Sequence, residues 1–139
     1  MCAVHTFQHV GLSVPDLDRA QRFYEEGLGM KEQSRFEIPG PGIRGAILAT
    51  DGGACIELLE RAGSKRAATF ADPPEAILSE GYGHWALGVD DIDAACERLV
   101  AAGAQVVWEP RDAPQPGARM AFLRDPDGNL IELIRPPSE

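Results

Sequence analysis

Residues 9–61 of this chain align with residues 84–136 at a shift of 75 positions and without a gap. Sixteen of the 53 aligned positions are identical, where roughly three would match by chance, so the chain carries a duplicated unit. The stretch His9-Val10-Gly11-Leu12-Ser13-Val14-Pro15-Asp16-Leu17-Asp18 meets His84-Trp85-Ala86-Leu87-Gly88-Val89-Asp90-Asp91-Ile92-Asp93. Further on, Pro39, Pro41, Gly42, Arg44, Ala46 and Leu48 meet Pro114, Pro116, Gly117, Arg119, Ala121 and Leu123. At the end Gly53, Ile56, Glu57 and Leu58 meet Gly128, Ile131, Glu132 and Leu133. So long a period with only two copies excludes a solenoid. It points instead to two equivalent modules facing each other across a pseudo-twofold.

Each copy predicts the same order of elements. Residues 5–14 and 82–89 read as strands, with Val10, Leu12 and Val14, and Trp85, Leu87 and Val89, on one face of each. Asp16 and Asp91 are N-cap residues for helices ending near Leu28 and Ala102. Leu17, Ala20, Phe23 and Tyr24 supply the apolar stripe of the first helix, and Ile92, Ala95 and Leu99 that of the second. Gly29 and Gly103 stand where C-terminal glycines belong. Second strands begin near Met30 and Ala104, and Pro/Gly loops lead into third strands at about 43–49 and 118–124. Turns at Asp51-Gly52-Gly53 and Asp127-Gly128-Asn129 return the chain into fourth strands as hairpins. The unit is βαβββ, twice. The expected class is α+β, with two tandem modules forming a cupped, barrel-like mixed sheet and helices outside.

A chain of 139 residues supports one well-buried domain and is too short for two ordinary ones. The expected layout is a single domain over 1–139, with module one at about 5–61, a linker at 62–81 and module two at about 82–136. The linker carries Asp72-Pro73-Pro74-Glu75, which suggests a proline-opened helical turn. Its Phe70 and Ile77 are candidates to line a ligand pocket or to pack on the surface. The formal charge of −9 disfavours nucleic acid and anionic membrane surfaces as partners. No apolar run is long enough for a membrane span, and Met1-Cys2-Ala3-Val4-His5 does not read as a signal peptide. Cys2, Cys55 and Cys96 are odd in number and lack metal-type spacing, as in a reducing compartment, so a cytoplasmic location is expected.

The two fourth strands hold the chemistry. Leu130-Ile131-Glu132-Leu133-Ile134 and Cys55-Ile56-Glu57-Leu58-Leu59 each set one carboxylate in an apolar run. Such a group is costly unless something pairs with it. An arginine such as Arg44 or Arg119 is the ordinary partner. The repeat offers another reading, because His9 and His84 are equivalent in the same way as Glu57 and Glu132. By strand parity His9 shares a face with Gly11 and Ser13, and His84 with Ala86 and Gly88. Small neighbours leave room on that face, while large apolar residues take the other. Two imidazoles and two carboxylates converging on one centre would suit a divalent metal. His5 shares the parity of His9 and is placed at the rim.

The doubled βαβββ unit with its His, Glu, His, Glu order resembles the vicinal oxygen chelate superfamily, which includes glyoxalase I, methylmalonyl-CoA epimerase, extradiol dioxygenases and bleomycin-resistance proteins. The resemblance covers about residues 5–136. Tyr82-Gly83-His84-Trp85-Ala86-Leu87, and Asp125-Pro126-Asp127-Gly128 before Ile131-Glu132-Leu133-Ile134, are similar to glyoxalase I. Ile56-Glu57-Leu58-Leu59-Glu60 is closer to the epimerase.

The resemblance implies that His9, Glu57, His84 and Glu132 bind one divalent ion (nickel, cobalt, zinc, manganese or iron), with Glu132 or Glu57 as catalytic base. The implied activity is that of a metal-dependent lyase or isomerase. It would move a proton through an enediolate on a small α-hydroxycarbonyl or hemithioacetal substrate, in a homodimer. The alternatives are an iron(II) dioxygenase using His9, His84 and Glu132, an acyl-CoA epimerase, and a metal-free module that sequesters a drug-like ligand.

Overall fold

The computed structural model describes residues 3–138. Module one runs β1 (Val10–Ser13), α1 (Leu17–Leu28), β2 (Lys31–Ile38), β3 (Ile43–Ala49) and β4 (Cys55–Arg61). A short helix α2 (Pro73–Ile77) interrupts the connection. Module two runs β5 (His84–Gly88), α3 (Ile92–Ala102), β6 (Gln105–Asp112), β7 (Arg119–Arg124) and β8 (Leu130–Arg135). Both halves are βαβββ, as the repeat predicts. The strands form two separate four-stranded mixed sheets, ordered β1-β4-β3-β2 and β5-β8-β7-β6, and no closed barrel. In each, the first strand lies parallel to the fourth and the other neighbours are antiparallel.

The helix boundaries follow from the caps. Asp16 accepts the backbone N–H of Arg19 at 3.0 Å, and Asp91 accepts that of Ala94 at the same distance. Each satisfies one of the donors that a helix start leaves open, worth about 1 kcal/mol. At the other end Gly29 and Gly103 take φ of 67° and 119°, a region that side chains with a Cβ avoid. Asp72 caps α2 through the N–H of Glu75 at 2.9 Å, with Pro73 in the first turn, as its sequence suggests.

The C-terminal glycines Gly29 and Gly103 lie 74 residues apart although the N-caps and strands repeat at 75, because α1 has 12 residues and α3 has 11. A β-bulge makes up the difference. Both modules shift register once early in the second strand, between Glu32 and Ser34 and between Val106 and Trp108. Module two shifts a second time between Trp108 and Arg111, around Glu109 and Pro110. Proline cannot donate to a ladder and is tolerated at such an irregularity. Beyond it, Asp112 opposite Arg119 matches Glu37 opposite Arg44 at the full period of 75.

One hydrophobic core draws on both halves. Leu17, Phe23, Tyr24, Leu48, Ile56 and Leu58 of module one are buried with Ile92, Leu99, Leu123, Ile131 and Leu133 of module two. At roughly 1.5–3 kcal/mol for each large side chain, this shared cluster is the main adhesive between the modules. The helices pack on the core face of the sheets and α1 lies against α3. The other face of each sheet, the one carrying the histidines, is left uncovered: Gly11, Ser13, His84, Ala86 and Gly88 are all exposed. Among the described residues no helix is long and apolar enough to cross a membrane.

Candidate metal centre

Parallel pairing of the first and fourth strands places each histidine beside its own module's glutamate. Gly11 stands opposite Glu57, with His9 two residues earlier on the same face, and His9 Nε2 lies 3.6 Å from Glu57 Oε1. In module two Ala86 stands opposite Glu132, and His84 Nε2 lies 3.5 Å from Glu132 Oε2. Both histidine side chains are 34% exposed, while Glu57 and Glu132 are 24% and 16% exposed. Burial holds the Glu132 carboxyl above the usual carboxylate range, and the neighbouring His84 pulls it the other way.

The ordinary partners for these carboxylates are occupied elsewhere. Arg44 forks onto Glu60 with bonds of 3.0 and 3.1 Å. Arg119 reaches Asp112 at 3.0 Å. Neither touches Glu57 or Glu132. The separations of 3.5–3.6 Å are long for a hydrogen bond. They are near the spacing of a nitrogen and an oxygen that share one ion at about 2.1 Å each, which is about 3.4 Å at a tetrahedral angle. The donor types and their spacing therefore fit a divalent metal. The Gln8 side-chain amide oxygen Oε1 also meets His9 Nδ1, which leaves Nε2 to face Glu57.

The single chain brings the four residues together as two pairs, not as a quartet. Among the described residues no three histidine, cysteine or carboxylate side chains converge closely enough to hold an ion. Two surface clefts lie elsewhere. One of about 310 Å³ is lined by Leu17, Arg35, Phe36, Glu37, Arg44 and Gly45; one of about 560 Å³ borders Pro15, Glu60 and Ser64. His5 lies exposed in the extended segment before β1, Ile77 is exposed, and Phe70 is half-buried. Of the cysteines, Cys96 is buried and Cys55 half-buried, while Cys2 lies outside the described residues.

Two features were not singled out from the sequence. The first is the joint between the modules. The Tyr24 hydroxyl, on α1, donates to Asp125 Oδ2 at 2.6 Å in the turn before β8, and both residues are buried. Asp125 also accepts the N–H groups of Asp127 and Asn129 and the Asn129 amide. Burial and the adjacent Asp125 push the Tyr24 phenol well above its ordinary pKa. The Arg66 guanidinium ties the linker to this turn through Asn129 Oδ1 and the Gly128 carbonyl. The second is an aromatic row on the open face of module two. His84 meets the Phe122 ring edge-on at 5.0 Å, Phe122 meets Trp108 at 5.5 Å, and the Arg111 guanidinium lies 4.6 Å over the Trp108 ring. Tyr24 and Asp125 were visible only as members of a helix stripe and a turn signal. Trp108 was hidden by its bulged strand, where parity breaks.

The fold, two βαβββ modules each with a His–Glu pair on its uncovered sheet face, can be set beside known proteins. Residues 6–133 match the model of the Glyoxalase/Bleomycin resistance protein/Dioxygenase superfamily. The chain belongs to that superfamily. It is 37% identical over 134 residues to a probable lactoylglutathione lyase of Vibrio cholerae, covering 94% of this chain and 91% of that one. It is 38% identical over 129 residues to the lactoylglutathione lyase of Haemophilus influenzae, covering 91% and 89%. Among solved structures, glyoxalase I from Zea mays superposes with a TM-score of 0.75 at 27% identity, over 94% of this chain and 44% of that one. A glyoxalase family protein from Bacillus cereus shares the fold, with a TM-score of 0.80 at 24% identity over 99% and 97%.

Proposed function

We propose that this chain is a glyoxalase I-like lyase, a metal-dependent enzyme that moves a proton between adjacent carbons of a small α-hydroxycarbonyl or hemithioacetal. The observation that carries the reading is the pair of equivalent His–Glu sets, each at 3.5–3.6 Å, on faces that a single chain leaves open. The relatives named lactoylglutathione lyase support it at 37–38% identity over nearly the whole chain. His9, Glu57, His84 and Glu132 would hold one divalent ion. That ion, when bound, supplies Lewis-acid polarisation of two vicinal substrate oxygens.

The residues do the rest. A carboxylate oxygen beside the substrate takes the proton from one carbon and returns it to the next. Glu132 is the better placed of the two for this work. It is the less exposed glutamate and stands opposite Phe122, whose ring keeps water from that side. Glu57 stands opposite Gly11 and Ile47 and is the more open. Both histidines orient the site through Nε2.

A quartet cannot close within one chain whose two pairs sit apart, so the site is completed by a second copy. Module one of one chain would face module two of its partner, giving two equivalent sites in a twofold dimer. Complementation tests this. His9→Ala and His84→Ala variants should each lose metal binding and turnover alone. Mixed after mild unfolding and refolding, half the dimers pair one variant with the other and hold one intact site of two. About a quarter of the wild-type metal capacity and activity should therefore return. No recovery, with dimers confirmed by sedimentation, would overturn the shared site. A chelator-treated protein that takes up no nickel, cobalt, zinc, manganese or iron by calorimetry would overturn the metal-dependent reading itself.

A further inference from the structure

Module two carries a row of aromatic side chains outward from Glu132 that module one lacks. Counting outward from Glu132 across the sheet, the opposing residues are Phe122 on β7 and then Trp108 on β6. The corresponding row in module one, outward from Glu57, is Ile47 and then Ser34. Two strand spacings set Trp108 about 10 Å from Glu132 along the face, measured between backbones. The rings in between are not isolated. Phe122 presents its edge to His84 on one side and to Trp108 on the other, with interplanar angles of 79° and 84°.

Arg111 closes the row. The second bulge of β6 brings its guanidinium over the Trp108 ring at 4.6 Å. Its Nε donates to the Glu109 carbonyl at 3.2 Å, and no carboxylate among the described residues pairs with it. A chain of net charge −9 thus presents, over an aromatic ring on the same sheet face as Glu132, an exposed cation with no acidic partner among the described residues. Stacking on an indole orients a guanidinium with its free N–H edges outward, where they can take a carboxylate in bidentate fashion.

We propose that Trp108 and Arg111 set the specificity of the site: they recognise a substrate whose reacting vicinal oxygens are followed by a flat aromatic or unsaturated group ending in an anion. The flat group would lie against the half-buried Trp108, which the buried Phe122 backs, and the anion would meet Arg111. This inference rests on the reading of His84 and Glu132 as part of the metal centre, and it adds the class of substrate arm.

Three non-reacting probes with the same vicinal oxygens separate the contributions: lactate, mandelate and 4-carboxymandelate. Each is titrated by calorimetry into the full chain after nickel uptake has been measured separately. Mandelate should bind about tenfold more tightly than lactate through ring stacking, and 4-carboxymandelate about tenfold more tightly again through the Arg111 contact. Trp108→Ala should erase the advantage of mandelate over lactate, and Trp108→Phe should keep most of it. Arg111→Met should bring 4-carboxymandelate down to the affinity of mandelate. Nickel affinity should match wild type in all three variants, and each should still melt cooperatively well above the titration temperature, which separates recognition from folding; Trp108→Ala is expected to melt somewhat lower. Quenching of tryptophan fluorescence by mandelate in wild type but not in Trp108→Phe, where Trp85 is the remaining tryptophan, places the ring at Trp108. Nickel binding with equal affinity for the three probes would overturn this inference and leave the metal centre standing. A chain that takes up no metal would overturn both.

Discussion

The two modules share a backbone and differ in what they hang on it. Their turns before the fourth strand make the contrast plain. Thr50 and Asp125 are repeat equivalents, and both open a turn whose backbone closes in the same way, onto Ala54 and Asn129 at 2.9 Å. Thr50 spends its side chain locally, accepting the Ala54 N–H at 3.1 Å. Asp125 does this and also takes the Tyr24 hydroxyl of the other module, deep in the core. The open faces diverge similarly, with Ile47 and Ser34 in one row and Phe122 and Trp108 in the other. Duplication kept the scaffold and the His–Glu pair; divergence gave one copy the buried joint and the aromatic row.

The comparison can be broken most sharply at the glutamates. If Glu132 moves the proton and Glu57 only holds the metal, Glu132→Gln should lower kcat by about 10³-fold or more. Glu57→Gln should cost mainly metal affinity, recoverable in part at high nickel concentration. Equal kcat losses at saturating metal would show that the two carboxylates share the role.

The next largest contrast lies at the turns. Asp125→Ala leaves the Tyr24 hydroxyl buried without an acceptor and strips three turn contacts, so it should cost about 3–5 kcal/mol of stability. Thr50→Ala should cost about 1 kcal/mol. Urea unfolding, read as the shift in midpoint at constant slope, measures both. Equal losses would mean that the Tyr24–Asp125 contact is not what ties the modules.

That same joint should make stability depend on alkaline pH. Tyr24 has a raised pKa in the folded chain, so the folded state keeps a proton that the unfolded state releases. Its contribution is complete below about pH 10, the ordinary tyrosine value, and declines above it by up to about 1.4 kcal/mol per pH unit. Tyr24→Phe should remove that slope between pH 10 and 11, although it lowers stability at neutral pH. Tyr82, fully exposed, supplies the control: Tyr82→Phe should leave the slope as it is.

A modest effect is expected at Gly45, the counterpart of Met120. The Phe36 ring lies flat over Gly45, and a Cβ there would come within 2.2 Å of it. Gly45→Ala must push the ring aside, at about 1–2 kcal/mol. Near-ultraviolet circular dichroism should report the displaced aromatic while far-ultraviolet signal and metal uptake stay unchanged.

Much of this was legible because the repeat supplies its own control. A histidine or a glutamate in a strand says little alone, but His9 and Glu57 are matched by His84 and Glu132 at one spacing, and parity then puts small residues beside both histidines. The caps at Asp16 and Asp91 and the glycines at 29 and 103 are local chemistry, which a helix end imposes whatever surrounds it. Other features depend on positions far apart in the chain. Tyr24 and Asp125 are 101 residues apart, and nothing local marks them as partners. Trp108 and Arg111 meet only because a bulge breaks the alternation that strand reading relies on.

The duplicated order of elements and the strand face on which each histidine and glutamate lies were thus decided by sequence alone, since periodicity and parity are properties of a backbone that repeats. Tertiary structure decided the rest. The apolar faces of both modules are satisfied by one shared core, with α1 against α3, so the two sheets stay separate and their polar faces stay open. The two His–Glu pairs therefore stand apart, because the shared core, with its helices packed against each other, keeps the polar faces of the two sheets from meeting.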